Sequence, residues 1–330
     1  MEKENIPLIR VENLKKYYPV KGGIITHTTG YVKAVDGVSF SVMRGQTLGL
    51  VGESGCGKST IGRQLVGLET PTEGKIYYDG VDLSALQKDR KQMREVRTKL
   101  QMIFQDPYSS IDPRMTVSET IKEALMLTRR YTRPEVEERT KELMNTVGLS
   151  QRLWTAYPHE LDGGRRQRIG IARALSVSPA FIVCDEPVSA LDVSIQAQIL
   201  NLMQDLQESQ GLSYAFITHD LSVVRHISDE ICVMYMGEIV EKAPAKELFR
   251  SPVHPYTKAL LASIPIPDVH HKRNEEQILQ GEVTSPIEPK PGCRFASRCR
   301  FASEECLEKQ TLCEVTKQHY VMCCKQKTLR

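Results

Sequence analysis

The chain has 330 residues, enough for one large or two modest domains, and 40% of them are hydrophobic, which allows a sizeable core and excludes global disorder. The formal net charge of +3 is too weak to point to nucleic acid, and no run of about 18 apolar residues is present to span a bilayer. The polar start, Met1-Glu2-Lys3-Glu4-Asn5, lacks the apolar core of a signal peptide, so a cytosolic place, or one on the cytosolic face of a membrane, is expected.

In chain order, Leu8 to Tyr18 reads as a first strand, Gly22 to Gly30 as a Gly/Thr-rich insertion, and Val38 to Val42 as another strand. The apolar run Thr47-Leu48-Gly49-Leu50-Val51 reads as a buried strand. It leads into Gly52-Glu53-Ser54-Gly55-Cys56-Gly57-Lys58-Ser59, which fits G-x-x-x-x-G-K-[ST], the phosphate-binding loop, and Thr60 to Leu68 can be helical. Strand, glycine loop and helix are the context this motif requires. Backbone N–H groups of Gly52, Ser54, Gly55, Cys56 and Gly57, with Thr60 at the helix start, would converge on phosphates together with the positive end of the helix. Lys58 would add a point charge toward the β and γ phosphates, and the Ser59 hydroxyl could ligate Mg²⁺.

Lys75-Ile76-Tyr77-Tyr78 gives a third strand, closed by the turn Asp79-Gly80. Residues 84–150 are charged and helix-prone, with one strand-like piece at Leu100 to Phe104 that Gln105 closes ahead of Asp106-Pro107. Arg133 to Val147 is an amphipathic helix. Leu161-Asp162-Gly163-Gly164-Arg165-Arg166-Gln167-Arg168 is a Gly-Gly turn entering a helix that runs to Leu175, with Asp162 suited to its N-cap. Phe181-Ile182-Val183-Cys184 is an apolar strand ending in Asp185 and Glu186. Downstream of a phosphate loop, Asp185 would hold Mg²⁺ through water, and Glu186 would polarise the attacking water. A helical stretch, Ile195 to Glu208, separates this strand from Tyr214-Ala215-Phe216-Ile217. His219 follows at the end of that strand, where γ-phosphate sensors sit. The alternation indicates an α/β core with a mainly parallel sheet and an inserted helical lobe over residues 106–165.

From about Ser251 prolines become frequent and the cysteines begin. Six of the nine cysteines lie between Cys293 and Cys324, which in a reducing cytosol suggests a metal site more than disulfides. The spacing Cys293-x5-Cys299-x6-Cys306, then Cys313, Cys323 and Cys324, is not the C-x2-C pair of common zinc modules. Four thiolates could hold an iron–sulfur cluster or a zinc ion; free thiols or an adventitious disulfide are the alternatives.

The ordered set Gly52–Ser59, Gln105, Leu161–Arg168, Phe181–Glu186, Ser189-Ala190-Leu191-Asp192 and His219 resembles an ABC-type ATPase: Walker A, Q-loop, signature, Walker B, D-loop and H-loop. The resemblance covers roughly residues 8–250. It implies a P-loop NTPase core with an antiparallel β subdomain, an inserted helical subdomain and a small Cys-rich C-terminal extension, divided as 1–253 and 254–330. It further implies a head-to-tail dimer in which ATP lies between one chain's Walker A and the signature residues Asp162, Gly163 and Gly164 of the other. Tyr18, or its neighbour Tyr17, would stack on adenine, and Gln105 would link the helical lobe to the nucleotide and its Mg²⁺.

His254 to Leu261 and Gly292 to Cys299 are similar to the segments that follow the core in the oligopeptide/dipeptide/nickel permease branch. That similarity implies an ATP-hydrolysing subunit powering an importer of oligopeptides or dipeptides; nickel or metallophore cargo, or a soluble ATPase uncoupled from transport, are the alternatives. The implied partners are two integral-membrane permease subunits, a second and different ABC ATPase, and an extracytoplasmic solute-binding protein. By the same similarity, Cys293, Cys299, Cys306 and Cys323 would be the ligands of a [4Fe-4S] cluster or Zn²⁺, with Cys313 and Cys324 spare.

One motif departs from the family. Its signature usually reads Leu-Ser-Gly-Gly-Gln; here it reads Leu161-Asp162-Gly163-Gly164-Arg165. An ionised Asp162 donates no hydrogen bond and would face a triphosphate with like charge, about 4 kcal/mol for unit charges some 4 Å apart at an effective dielectric near 20. Arg165, on the same helical face, could offset that. The departure is either an internally paired signature that still works or one slow site in an asymmetric dimer.

Overall fold

The computed structural model describes residues 6–22, 27–86, 89–264 and 285–329. Its strands are β1 (Ile9–Gly22), β2 (His27–Val42), β3 (Thr47–Val51), β4 (Glu73–Tyr78), β5 (Val81–Asp82), β6 (Leu100–Ile103), β7 (Phe181–Asp185), β8 (Ser213–Thr218), β9 (Glu230–Tyr235), β10 (Glu238–Pro244), β11 (Cys313–Thr316) and β12 (His319–Val321). Its helices are α1 (Lys58–Leu65), α2 (Leu83–Leu86), α3 (Arg90–Lys99), α4 (Val117–Thr128), α5 (Arg133–Thr146), α6 (Gly163–Leu175), α7 (Val193–Gln210), α8 (Leu221–Ile227), α9 (Ala245–Arg250) and α10 (Pro255–Ala262).

Two sheets share the work. The smaller is antiparallel, in the order β2-β1-β4-β5. The larger runs β11-β12-β10-β9-β3-β8-β7-β6, and its five strands β9, β3, β8, β7 and β6 are mutually parallel. Strands β3, β7 and β8 are buried at every residue, as parallel strands covered on two faces must be, which is why they read as unbroken apolar runs. The sheet is only partly parallel: β10 returns antiparallel on β9, and β12 and β11 extend the same edge antiparallel.

The stretch expected as an insertion at Gly22 to Gly30 is largely strand. Lys21 pairs with Thr28 and Gly22 with His27, so β1 and β2 form one long hairpin whose residues 23–26 lie outside the described ones. Helix α1 stops at Leu65, short of the expected Leu68, because Gly67 adopts φ +70, which ends a helix.

The segment between Gln105 and Leu161 carries α4 and α5. Each starts with a capping box: Thr116 with Glu119 and Thr132 with Glu135. Val117, Ile121, Leu125, Val136 and Met144 from these helices join Ile169 and Leu175 of α6 in one apolar cluster, so the helical lobe packs on the helix that leads back into the core.

The C-terminal segment is anchored to the main sheet by more than strand pairing. Glu241 in β10 is fully buried and accepts from the amides of Val253 (2.8 Å) and His254 (2.9 Å), and it pairs with His319 Nε2 of β12 at 2.7 Å. A buried carboxylate is tolerated only when its lone pairs are met, and here three groups meet them.

Candidate functional site

Because β3, β6, β7 and β8 are parallel, the residues after their C-terminal ends emerge at one edge of the sheet. The loop Gly52–Ser59 follows β3, Gln105 lies just beyond β6, Asp185 and Glu186 close β7, and His219 follows β8.

The loop's shape demands its glycines. Gly57 has φ +102, and a Cβ there would lie 2.0 Å from the Ala34 carbonyl oxygen; at Gly52 a Cβ would lie 2.2 Å from that of Met234. Lys58 is 5% exposed, and its ammonium donates to the carbonyls of Gly52 (2.7 Å) and Glu53 (2.8 Å), so its charge sits inside the curl of the loop. Cys56 is buried beside that ammonium, and burial raises its thiol. A concavity of backbone N–H groups with a buried cation is built for an anion. Ser54, Gly55 and Thr60 complete the stretch, with Gly55 open on the side where a Cβ would project.

Ser59 Oγ donates to Asp185 Oδ1 at 2.9 Å. Burial, the largest influence on Asp185, pushes its carboxyl up, against the hydrogen bond from Ser59. A hydroxyl and a carboxylate side by side are hard oxygen donors of the kind Mg²⁺ takes, and a cation would relieve the cost of burying that carboxylate.

Glu186 holds φ +46, a left-handed conformation rare for a residue with a side chain, and its amide donates to the Ile217 carbonyl at 2.9 Å. Its carboxylate is gripped from both sides: Gln105 Nε2 donates to Oε2 at 2.9 Å, and His219 Nδ1 lies 3.1 Å from Oε1. Three residues far apart in sequence thus meet at one carboxylate, a geometry suited to aiming a general base.

Of the two adjacent tyrosines, Tyr18 faces the phosphate loop's helix. Its hydroxyl donates to Glu69 Oε2 at 2.5 Å and lies near Thr60, while Tyr17 points to Asp36. Asp162 is the N-cap of α6. Its carboxylate accepts from the Arg165 amide at 2.8 Å and lies 3.3 Å from Arg165 Nε. Gly163 and Gly164 begin the helix, with Gly164 close against Ile195 of α7.

The C-terminal thiols gather in a second place. Cys293, Cys299, Cys306, Cys323 and Cys324 line one small cavity, and the Cys306 and Cys324 sulfurs are 3.5 Å apart; Cys313 instead lies beside the Thr311 hydroxyl. Burial first, then the neighbouring thiols, push Cys293 up to about 12. Among the described residues no three His, Cys, Asp or Glu side chains stand in a metal-holding group.

Three residues at the loop carry no local sign of their role in the sequence. Glu53, Tyr256 and Arg298 are joined by hydrogen bonds at the loop's first turn. Glu53 occupies an unspecified position of the loop motif, and nothing local connects it to partners more than 200 residues on.

Comparison with known proteins bears on both parts of the chain. Residues 35–189 match the family described as ABC transporter, and residues 240–306 match the one described as Oligopeptide/dipeptide transporter, C-terminal region. The chain is 49% identical over 318 residues to the oligopeptide transport ATP-binding protein AppF of Bacillus subtilis, covering 96% of each. It is 49% identical over 322 residues to the oligopeptide transport ATP-binding protein OppF of Salmonella typhimurium, again covering 96% of each. Among solved structures it resembles a dimeric, post-hydrolysis ATP-binding cassette bound to ADP and Pi, with TM-score 0.63 and 28% identity, covering 72% of this chain and 98% of that one.

Proposed function

Because this chain belongs to the ABC transporter ATP-binding proteins, in the branch with the oligopeptide/dipeptide transporter C-terminal region, we propose that it binds and hydrolyses ATP to power a membrane importer of oligopeptides or dipeptides. The observation that carries this reading is Glu186, held by Gln105 and His219 at the sheet edge where the phosphate loop also opens.

The residues divide the labour as follows. Gly52, Ser54, Gly55, Cys56, Gly57 and Thr60 offer backbone N–H groups to the phosphates, and Lys58 lends its charge. Tyr18 presents its ring for the adenine. Ser59 and Asp185 would hold Mg²⁺, whereas Gln105 here donates to Glu186 instead, and the metal when bound would neutralise charge on the phosphate oxygens. Glu186 orients and polarises water, and His219 holds the Glu186 carboxylate in line.

The partners follow from the same reading. Two permease subunits would form the channel, an extracytoplasmic binding protein would deliver cargo, and a second, different ATPase would complete the dimer. Support for a different partner comes from the altered signature. A pair of identical chains would place Asp162 at both composite sites, whereas a distinct partner can supply an unaltered motif to this chain's phosphate loop. Among the described residues no helix is long and apolar enough to cross a membrane, and attachment to the permease would place the chain on the membrane's cytoplasmic face. Exposed Tyr108, Met126 and Leu127 in the helical lobe supply apolar surface for that docking.

The finer reading of the thiol cavity is a [4Fe-4S] cluster or Zn²⁺ held by Cys293, Cys299, Cys306 and Cys323. Its support is the meeting of all four at one cavity; for those sulfurs to ligate one ion they would have to lose their protons and draw closer. Iron and zinc quantification of the purified chain decides it, and a metal-free folded protein rejects both.

The test of the main reading is extraction from native membranes in mild detergent, identification of the associated chains by mass spectrometry, and assay of the complex for peptide-stimulated phosphate release. Two integral permease chains and a second ATPase are expected. Recovery with ribosomes, or of this chain alone, would overturn the importer reading.

A further inference from the structure

The segment carrying the cysteines reaches across to the phosphate loop. The Arg298 guanidinium forks the Glu53 carboxylate, with Nη1 2.7 Å from Oε2 and Nη2 3.1 Å from Oε1. The arginine side chain is 6% exposed and that of Glu53 27%, so the pair is largely shielded from water. The Tyr256 hydroxyl accepts from the Glu53 amide at 2.8 Å, and the Glu53 carbonyl in turn accepts from Lys58 Nζ at 2.8 Å. Behind this relay, Tyr235 packs edge-on against Tyr256 and Phe295, with ring centroids 4.8 and 5.3 Å away, which fixes both the tyrosine hydroxyl and the turn that bears Arg298.

The loop's other ties are the Lys58 ammonium on the carbonyls of Gly52 and Glu53, the Cys56 amide on the Glu53 carbonyl at 3.3 Å and the Gly237 amide on the Cys56 carbonyl at 3.0 Å, and none of them fixes the Glu53 side chain. Gly52, Gly55 and Gly57 have no side chains, and Gly55 and Gly57 sit at positive φ. Glu53 is its one long side chain ahead of Lys58, and a bidentate arginine is the pairing that fixes a carboxylate in direction as well as distance. An amide cradle binds phosphate in proportion to how well its N–H groups are aimed beforehand.

We propose that Arg298 is a positioning residue of the nucleotide site, acting through Glu53 to hold the first turn of the phosphate loop, so that the C-terminal segment is a working part of the ATPase. This rests on the ATP-binding reading above.

The test is a double-mutant cycle on the full chain, reading the affinity for Mg-ATP and Mg-ADP by calorimetry. Arg298→Met and Glu53→Gln are each expected to weaken nucleotide binding by roughly three- to tenfold. The double variant should bind no worse than either single one, since both break the same link. Arg298→Lys, which keeps charge but not the fork, should recover part of the loss. If Arg298→Met does not fold, Glu53→Gln, which preserves size and shape, gives the same reading alone. Affinities within twofold of wild type in the single variants, with binding still lost in Lys58→Ala, overturn the proposal. So do losses that multiply in the double variant, or a melting temperature that falls while affinity holds. A wild-type chain that binds no nucleotide instead fails the ATP-binding reading itself.

Discussion

At the scale of single residues, the left-handed Glu186 is a strained position in the site and a telling one. A glutamate is held at φ +46 because β7 must end with its carboxylate turned toward Gln105 and His219. Glu186→Gln keeps the shape and removes the proposed base. Phosphate release should fall by about a thousandfold while ATP binding persists; turnover within tenfold of wild type would place the base elsewhere. Asp162 poses the opposite question, since its carboxylate already satisfies the Arg165 amide and pairs with that side chain. A helix N-terminus occupied by its own carboxylate has less to offer a partner's phosphate. Replacing the pair together, Asp162→Ser with Arg165→Gln, should therefore restore the composite site that this signature caps and, with a partner's unaltered motif already serving the other site, raise turnover of the assembled complex by up to about twofold. Unchanged turnover would mean that the internally paired signature works as it stands.

At the scale of elements, what was legible depended on whether a signal was local. Helix α4 begins where Thr116 accepts from the Glu119 amide at 3.3 Å and Glu119 Oε2 accepts from the Thr116 amide at 2.8 Å. Thr116→Ala should cost about 1 kcal/mol and lower the melting temperature by a few degrees, with nucleotide affinity unchanged; a loss of affinity would mean that this cap also shapes the site. The strand–loop–helix around Lys58 and the apolar strand before Asp185 could likewise be read directly, because motif and periodicity sit within a dozen residues. The hairpin of β9 and β10 has such a signal too, the apolar run Ile231 to Tyr235 ending in Met236 and Gly237, which take φ +44 and +86, although no expectation covers the stretch between His219 and Ser251. Other features had no local trace at all. That β12 pairs with β10 rests on Lys242 meeting Tyr320, and that Glu53 meets Arg298 rests on a separation of 245 residues. Such contacts are set by how the whole chain packs, and a lone Glu or Arg in sequence carries no sign of its partner.

At the scale of the molecule, the small sheet, the main sheet and the C-terminal segment meet at one charged junction, and it should be sensitive to pH. Asp36 of β2 accepts a hydrogen bond from Arg294, whose Nε lies 3.4 Å from Glu238 Oε1 of β10, and Arg294 also donates to the Met236 carbonyl. Lys33 and Lys309 face the same spot. Burial, reinforced by Asp36 and opposed by Arg294, pushes Glu238 from 4.5 up to about 7. Below pH 4.5 the folded and unfolded chains both hold this proton. Between 4.5 and 7 the folded chain retains it while the unfolded chain gives it up, so the proton favours folding there, and that advantage shrinks as pH rises through the window. Near pH 8 both states are ionised, and the native state bears a buried Glu238 charge beside Asp36, with Arg294 shared between the two carboxylates and Lys33 and Lys309 adding weaker positive charge. Glu238→Gln cannot ionise, so it should gain melting temperature relative to wild type as the pH is raised from 5 to 8. If the two melting curves instead stay parallel across that range, Arg294 compensates the second carboxylate fully, and the junction is a fixed rivet between the sheets and the C-terminal segment that pH does not loosen.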